Sequence, residues 1–373
     1  MNNRGRSIFP FAKISLPGRW RWLMVSTLLL FTCWGAIACH SVPATESQTN
    51  VQVNCHGVEH GAGITCVPNT IQRLVVLDQV SLEYALALGF HPVGAPLSQR
   101  KAYLRDRLIG VETIGEGGTP NLERVLALKP DLIVGLDFNQ AIYAQASQIA
   151  PTLLIPFTYS GEWKEAFQRF STALDREEIG QQVMHQYQQR LRNLQNTLKE
   201  MNSAQGLSFP FKVSVVRIYP DKLSLYFRDS FCGIILQDAG LLRPNAQDLS
   251  ASEAKRWFNN EIQESISLEQ VDQADGDVMF AWTSEDSVAA DQSAKERFAK
   301  LQTAPLWQQL NAIKMDRVYF VPDYWILADS STSKSASEDT PFACFARAAT
   351  KGAARLTVAG ESSGSWESIS SRS

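Results

Sequence analysis

The chain has 373 residues, 45% hydrophobic and 20% charged. That balance excludes an intrinsically disordered protein, and the length exceeds what one hydrophobic core usually serves. The formal charge of −3 supplies no cationic field for nucleic acid.

Five cations (Arg4, Arg6, Lys13, Arg19 and Arg21) and no acid occupy the first 38 residues, and an apolar run from 22 to 37 ends in the string AIAC at 36–39. A basic start, a hydrophobic stretch and small residues before a break point predict an export signal over residues 1–38. Cysteine directly after small residues resembles a bacterial lipobox. Cys39 is therefore the expected lipid acceptor and 39–54 a tether, although position 36 holds alanine where leucine is commoner. A membrane-spanning anchor and ordinary secretion are the rival readings, but a run of 16 residues falls short of the ~20 that span a bilayer. Without the signal, 30 cations face 38 acids. This suits a monomeric periplasmic or cell-surface domain that touches the membrane only through lipid.

Cys55 and Cys66 flank a segment holding Gly57, Gly61 and Gly63. Two short arms and a Gly-rich turn are expected to join them as a disulfide in an oxidising compartment. A Cys/His metal site using His56 and His60 is the alternative, at a spacing that matches no zinc pattern. Cys232 lies among apolar residues and reads as a buried thiol.

Residues 73–77 read as a buried strand, 81–88 as a helix stopped by Gly89, and 92–95 as a second strand. A short helix, a strand at 131–135, a helix at 140–149 and a strand at 152–156 follow. This alternation implies a parallel sheet covered on both faces, in an N-terminal lobe over 55–158. From 163 to 202 the pattern stays helical, about 60 Å if continuous. It reads as a connector over 159–203, broken near Asp175, or otherwise as two helices in a hairpin; Gly180 is its interior weak point. The alternation then resumes in a C-terminal lobe over 204–328, with strands at 212–219, 223–227, 278–282 and 317–321 and helices at 233–239 and 293–300. Residues 329–373 are Ser/Ala/Thr/Gly-rich and are expected to be disordered. The fold class is α/β: two lobes, each a parallel-sheet α/β sandwich, joined by a long backbone helix.

Two segments share one design. NLERVLALKPDLIV at 121–134 and SLEQVDQADGDVMF at 267–280 each place a short helix before a buried strand, with Glu123 and Glu269 one residue after a leucine. Two similar lobes would thus show one carboxylate each at equivalent places.

The strings HGAGIT at 60–65, RLVVLD at 73–78, ALGFHPVG at 87–94, ALKPDLI at 127–133, IAPT at 149–152, FCGIILQDAGL at 231–241 and VYFVPDYW at 318–325 together resemble the periplasmic iron-siderophore binding proteins of ABC importers. The likeness covers about residues 55–327 and rests on the order and spacing of these strings. It is to the group with a helical backbone between the lobes, and most of all to ferric-dicitrate-type members. The resemblance implies a lipoprotein that holds a ferric siderophore between its lobes without any cofactor. It also implies that Glu123 and Glu269 dock onto arginines of the two permease subunits; the alternative is that each merely caps its helix.

A ferric siderophore is an already coordinated, often anionic complex, so its receptor needs cations and aromatic surfaces instead of a full metal-ligand set. Arg217 and Tyr219 at a strand end are the leading candidates, followed by Arg228 beside Tyr226 and Phe227. Trp282, Tyr324 and Trp325 are candidate cleft walls. The first lobe offers the turn Gly117, Gly118 and Thr119, together with Phe138. The competing roles are a lobe-internal ion pair for Arg217, a solvated strand end for Arg228 and plain packing for the aromatic residues.

Direct metal binding would need histidines in both lobes, whereas His40, His56, His60, His91 and His185 all precede the second. Haem and cobalamin remain alternative ligands for the same cleft. An extracytoplasmic hydrolase is the alternative of another class. Acid pairs such as Glu285 and Asp286, or Asp329, are available, but no Gly-x-Ser-x-Gly elbow or histidine beside a nucleophile accompanies them. One departure from the family pattern stands out. WILA at 325–328 runs straight into the Ser/Thr-rich tail, where closing helices would follow, as though the reading frame shifts after about Ala328. That change predicts an exposed apolar face on the second lobe.

Overall fold

The structure, a computed structural model, describes residues 54–97, 102–115, 119–205, 209–283 and 288–321, within one compact unit that begins at Asn54. The expected signal, Cys39, residues 40–53 of the tether and the tail lie outside the described residues, as do Gly117, Gly118, Tyr324 and Trp325.

Strands β1 (Cys55–His60) and β2 (Gly63–Pro68) pair as an antiparallel hairpin. Its outer face carries Cys55 and Cys66, joined sulfur to sulfur with their Cα atoms 5.5 Å apart, near the usual disulfide separation. The inner face is fastened by His60. The Thr65 hydroxyl donates to the Thr152 carbonyl (2.7 Å), so the His60 Nε2–H donates to Thr65 Oγ1 (2.8 Å) and Nδ1 accepts from the Ala62 N–H (3.2 Å). Nδ1 must stay unprotonated for this arrangement, and burial holds the ring's pKa below its ordinary 6.5. The unfolded chain therefore binds the proton first as pH falls below about 6.5, and stability is lost in that direction. Thermal melts between pH 7 and pH 5 are expected to show a falling midpoint, with a flatter profile in His60→Gln; an unchanged slope in the variant would sink this account.

The first sheet contains β3 (Leu74–Val76), β4 (Gly94–Ala95), β5 (Glu112–Thr113), β6 (Leu132–Leu136) and β7 (Thr152–Ile155), in the order β5-β4-β3-β6-β7. Every pair is parallel. Leu74, Val76, Leu132 and Val134 pack toward one face, while Val75, Leu77 and Ile133 pack toward the other. Burial on both sides explains why these strands read as unbroken apolar runs. Helix α1 (Gln79–Ala87) follows β3 and is capped by Asp78. Helix α2 (Leu122–Ala127) precedes β6. The expected helix at 140–149 is instead a 3-10 segment, Asp137–Ile142, running into the single turn α3 (Tyr143–Ala146).

The second sheet contains β8 (Val213–Ile218), β9 (Leu223–Tyr226), β10 (Gln263–Ile266), β11 (Val278–Trp282) and β12 (Val318–Phe320), in the order β10-β9-β8-β11-β12. Here the sheet differs from the all-parallel expectation. β8, β11 and β12 are parallel, but β9 runs antiparallel to β8, and β10 to β9. The reason is a four-residue turn, Tyr219-Pro220-Asp221-Lys222, closed by the Tyr219 N–H to Lys222 carbonyl bond (2.9 Å). Proline followed by aspartate is a strong turn signal.

The shared design of the two lobes is visible nonetheless. β6 and β11 hold the same place in their sheets, and each is preceded by a capped Leu-Glu segment. Asn121 caps α2 through the Arg124 N–H; Ser267 and Gln270 form a capping box on Leu268–Ala274, which is a 3-10 helix. Each entry to the sheet is also braced by an aspartate. Asp131 accepts from the N–H groups of Gln72 (2.7 Å) and Arg73 (3.0 Å), and Asp277 from that of Lys212 (2.7 Å).

The long helical region divides into α4 (Trp163–Ala173) and α5 (Glu177–Gln205), with Asp175 at φ +54° between them. Gly180 lets the two come close: a Cβ there would lie 2.7 Å from Ser171 Oγ. With 29 residues, α5 is about 44 Å long. Its first half packs Ile179, Val183, Met184 and Tyr187 on the first lobe's core, and its second half packs Leu191, Leu194 and Leu198 on the second's. Helix α6 (Phe231–Asp238) covers the same face of the second sheet, and α7 (Ala251–Phe258) leads toward β10. Near the end of the described chain Leu306, Met315 and Phe320 are exposed.

Candidate ligand-binding and docking sites

Arg217 stands one residue from the end of β8, in register with Trp282, the last residue of β11. Alternation along β8 places it on the face shared by Val213 and Val215. Its guanidinium lies 4.0 Å from the Tyr219 ring and 4.5 Å from the Trp282 ring. The Tyr226 ring is 5.7 Å from Trp282. Burial pushes the Tyr226 phenol above its ordinary range, and a hydrogen bond with Arg217 works against that rise. Lys222 adds a second cation, 4.9 Å from the Tyr219 ring. Trp282 is buried, and its indole N–H has no hydrogen-bond partner among the described residues. Four of the proposed residues, Arg217, Tyr219, Tyr226 and Trp282, thus form one cluster at the carboxyl end of β8 and β11. Cation–π contacts of this kind hold the guanidinium plane in place.

Arg228 does not belong to that cluster. β9 runs away from Arg217, whose partner on it is Ser224, and Arg228 follows four residues later. Its guanidinium meets Asp248 at 2.9 Å and Asp229 at 3.4 Å, with Glu253 at 4.0 Å. A cation compensated by three carboxylates has little field left for an anion.

Arg243 was not among the residues singled out by sequence. It is buried, and it donates to the carbonyls of Val213 and Tyr226 and to Gln247 Oε1 (2.6 Å). Gln247 in turn accepts from the Val215 N–H (3.0 Å) and donates to Ser214 Oγ (2.7 Å). Burial pulls the Arg243 pKa down to about 10. Its string, LLRPN, reads as an ordinary loop, so nothing in the sequence marks it.

In the first lobe, the carboxyl ends of β3 and β6 meet at Asp78. This buried carboxylate accepts from the Ser81 N–H (2.8 Å), the Ser81 hydroxyl (3.0 Å), the Leu136 N–H (2.8 Å) and Asn139 Nδ2 (2.8 Å). Burial pushes its pKa up against those bonds. Phe138, beside Asn139, is 58% exposed, so it presents an apolar surface where that lobe's strands end. Thr119 is also exposed.

Glu123 and Glu269 are both exposed, and each is the second residue of its helical segment. Asn121 and Ser267 do the capping, which removes that duty from the glutamates. A hydrogen bond from Ser267 holds the Glu269 carboxyl below its ordinary pKa. Carboxylates here are favoured by the dipole of the segment's first turn.

Residues 74–325, spanning both sheets and the long helix, match the family described as periplasmic binding protein. The chain belongs to that family. Its members bind a solute and do not turn it over, which sets the hydrolase alternative aside. The probable siderophore-binding lipoprotein YfiY of Bacillus subtilis (strain 168) is 32% identical over 296 residues, covering 77% of this chain and 86% of its own length. The achromobactin-binding periplasmic protein of Dickeya dadantii (strain 3937) is 30% identical over 255 residues, covering 67% and 78%. Among solved structures, Staphylococcus aureus SirA complexed with staphyloferrin B superposes with a TM-score of 0.63 at 26% identity, covering 74% of this chain and 94% of SirA. The two-lobed α/β architecture expected from sequence is that of these relatives.

Proposed function

We propose that this protein captures a ferric siderophore between its lobes outside the cytoplasm and delivers it to an ABC permease, held at the membrane by lipid on Cys39. The observation that carries this reading is Arg217 clamped between Tyr219 and Trp282 at the carboxyl edge of the second sheet. Open α/β sheets bind ligands at that edge. A cation stacked on aromatic faces suits an anionic chelate with flat, apolar parts. The relatives named for siderophore, achromobactin and staphyloferrin B binding support the same ligand class. Phe138 and Thr119, with Gly117 and Gly118, are the first lobe's proposed contribution, and Tyr324 and Trp325 a further wall. Glu123 and Glu269 are the proposed contacts to the permease, one from each half of the duplicated plan.

Trp282 in the cluster provides the readout. Titration with ferric citrate, other ferric siderophores, haem and cobalamin is expected to give saturable fluorescence quenching with one of the iron siderophores. Quenching by haem or cobalamin alone would move the ligand to those chelates, and silence across the panel would sink the reading.

A further inference from the structure

The two sheets meet at a joint made from three helices and one loop, apart from the cluster around Arg217. Lys164, in the first turn of α4, pairs with Asp238 at the end of α6. The Tyr187 hydroxyl of α5 donates to the same carboxylate oxygen (2.5 Å). Gln195, two turns further along α5, donates to the Asp238 backbone carbonyl (2.8 Å). The Lys164 ammonium lies 5.7 Å and 5.6 Å from the Trp163 and Tyr187 rings. Trp163 packs edge-on to Tyr187 (5.1 Å) and to Phe231 (5.6 Å). Beside these contacts, the loop before α4 lies directly on the start of α6. The Phe231 N–H reaches Ser160 Oγ at 3.3 Å, and a Cβ on Gly161 would fall 2.0 Å from the Asp229 carbonyl oxygen.

One carboxylate thus joins a cation from the end of the first lobe, a phenol from the shared helix and the last turn of a second-lobe helix. The ion pair is half-buried, where charge-assisted bonds are stronger than in open water. The Gly161 contact is backbone against backbone, so no rotamer change of Asp229 can relieve a clash there; the loop before α4 and the start of α6 must move apart. We propose that Asp238 and Gly161 are positioning residues that set the angle between the lobes, and with it the width of the cleft, before any ligand arrives. A cleft set in advance spares the bound state the cost of ordering two free lobes. This inference rests on the proposed reading only in that the ligand sits between the lobes.

The measurement is a distance distribution by double electron–electron resonance in ligand-free, full-length protein. Labels are carried by unnatural amino acids at the exposed positions Gln148 and Gln309, one in each lobe. The wild type is expected to give one narrow peak. Gly161→Ala should shift its mean, Asp238→Ala should broaden it, and Asp238→Asn, which keeps an acceptor for Tyr187, should broaden it less. Melting temperature is recorded in parallel, because a merely structural role would lower it without moving the distances. Unchanged distributions in folded Gly161→Ala and Asp238→Ala overturn the proposal. If either variant fails to fold, Lys164→Met and Tyr187→Phe decide, again by broadening or its absence. No ligand enters this experiment, so its failure is separate from failure of the quenching panel.

Discussion

Combining Glu123→Arg with Glu269→Arg is expected to abolish uptake of the ferric chelate in cells, while ligand affinity and melting temperature stay at wild-type values. Both side chains are exposed, and neither is the cap of its helical segment, so the folded protein loses little. At an interface the balance changes. Truncating one partner of a desolvated charge pair costs about 2–5 kcal/mol, and reversal adds repulsion against the arginine it would meet. Either single reversal should lower uptake roughly tenfold or more, on the scale of 1.4 kcal/mol per decade. Glu269 also accepts a hydrogen bond from Ser267, which a carboxylate can keep on one lone pair while it accepts an arginine fork on the others. The two single variants should therefore be comparably damaging. Normal uptake by the double variant, with the protein correctly localised, would remove the docking assignment.

The second large effect concerns affinity. Arg217→Met keeps an unbranched side chain between Tyr219 and Trp282 but deletes the charge. A hydrogen bond to a charged group contributes roughly 1.5–3 kcal/mol, so the dissociation constant for the siderophore should rise between about tenfold and a hundredfold. Arg228→Met serves as the contrast. Its guanidinium is already engaged by Asp248 and Asp229, so its removal should cost stability and leave affinity within a factor of about three, a span of roughly 0.65 kcal/mol. Quench titration of both variants checks this; equal losses of affinity would mean that Arg217 has no special place.

The buried strands were legible because burial on both faces leaves long apolar strings such as LVVL and LIVG. The Leu-Glu repeats were legible because a cap, a short apolar helix and a strand follow one another in both lobes. The second sheet's antiparallel arm is not legible although Pro220 and Asp221 mark the turn, because alternation elsewhere suggests crossovers. Helix α7 is not legible because it is short and its exposed Trp257 and Phe258 blur the amphipathic pattern. At the site, Arg217 near the end of β8 and Tyr219 just past it are two residues apart, a spacing that keeps side chains on one face where the chain stays extended. Trp282 joins them only through the register of β8 with β11, which is a property of the sheet. Asp238 and Lys164 come together from elements 74 residues apart, and local sequence carries no trace of that pairing.

The length of α5 has a further consequence. Its apolar stripe is divided between two cores, and Tyr187 packs on both. Cutting the gene between the lobes would leave one fragment with half a helix and no partner for it. Neither half is thus expected to fold alone, despite having a complete sheet of its own. Denaturation should proceed as one cooperative step, in which damage to either lobe is felt by the whole molecule. Two sheets of the same strand order thus share one helix, which couples their unfolding.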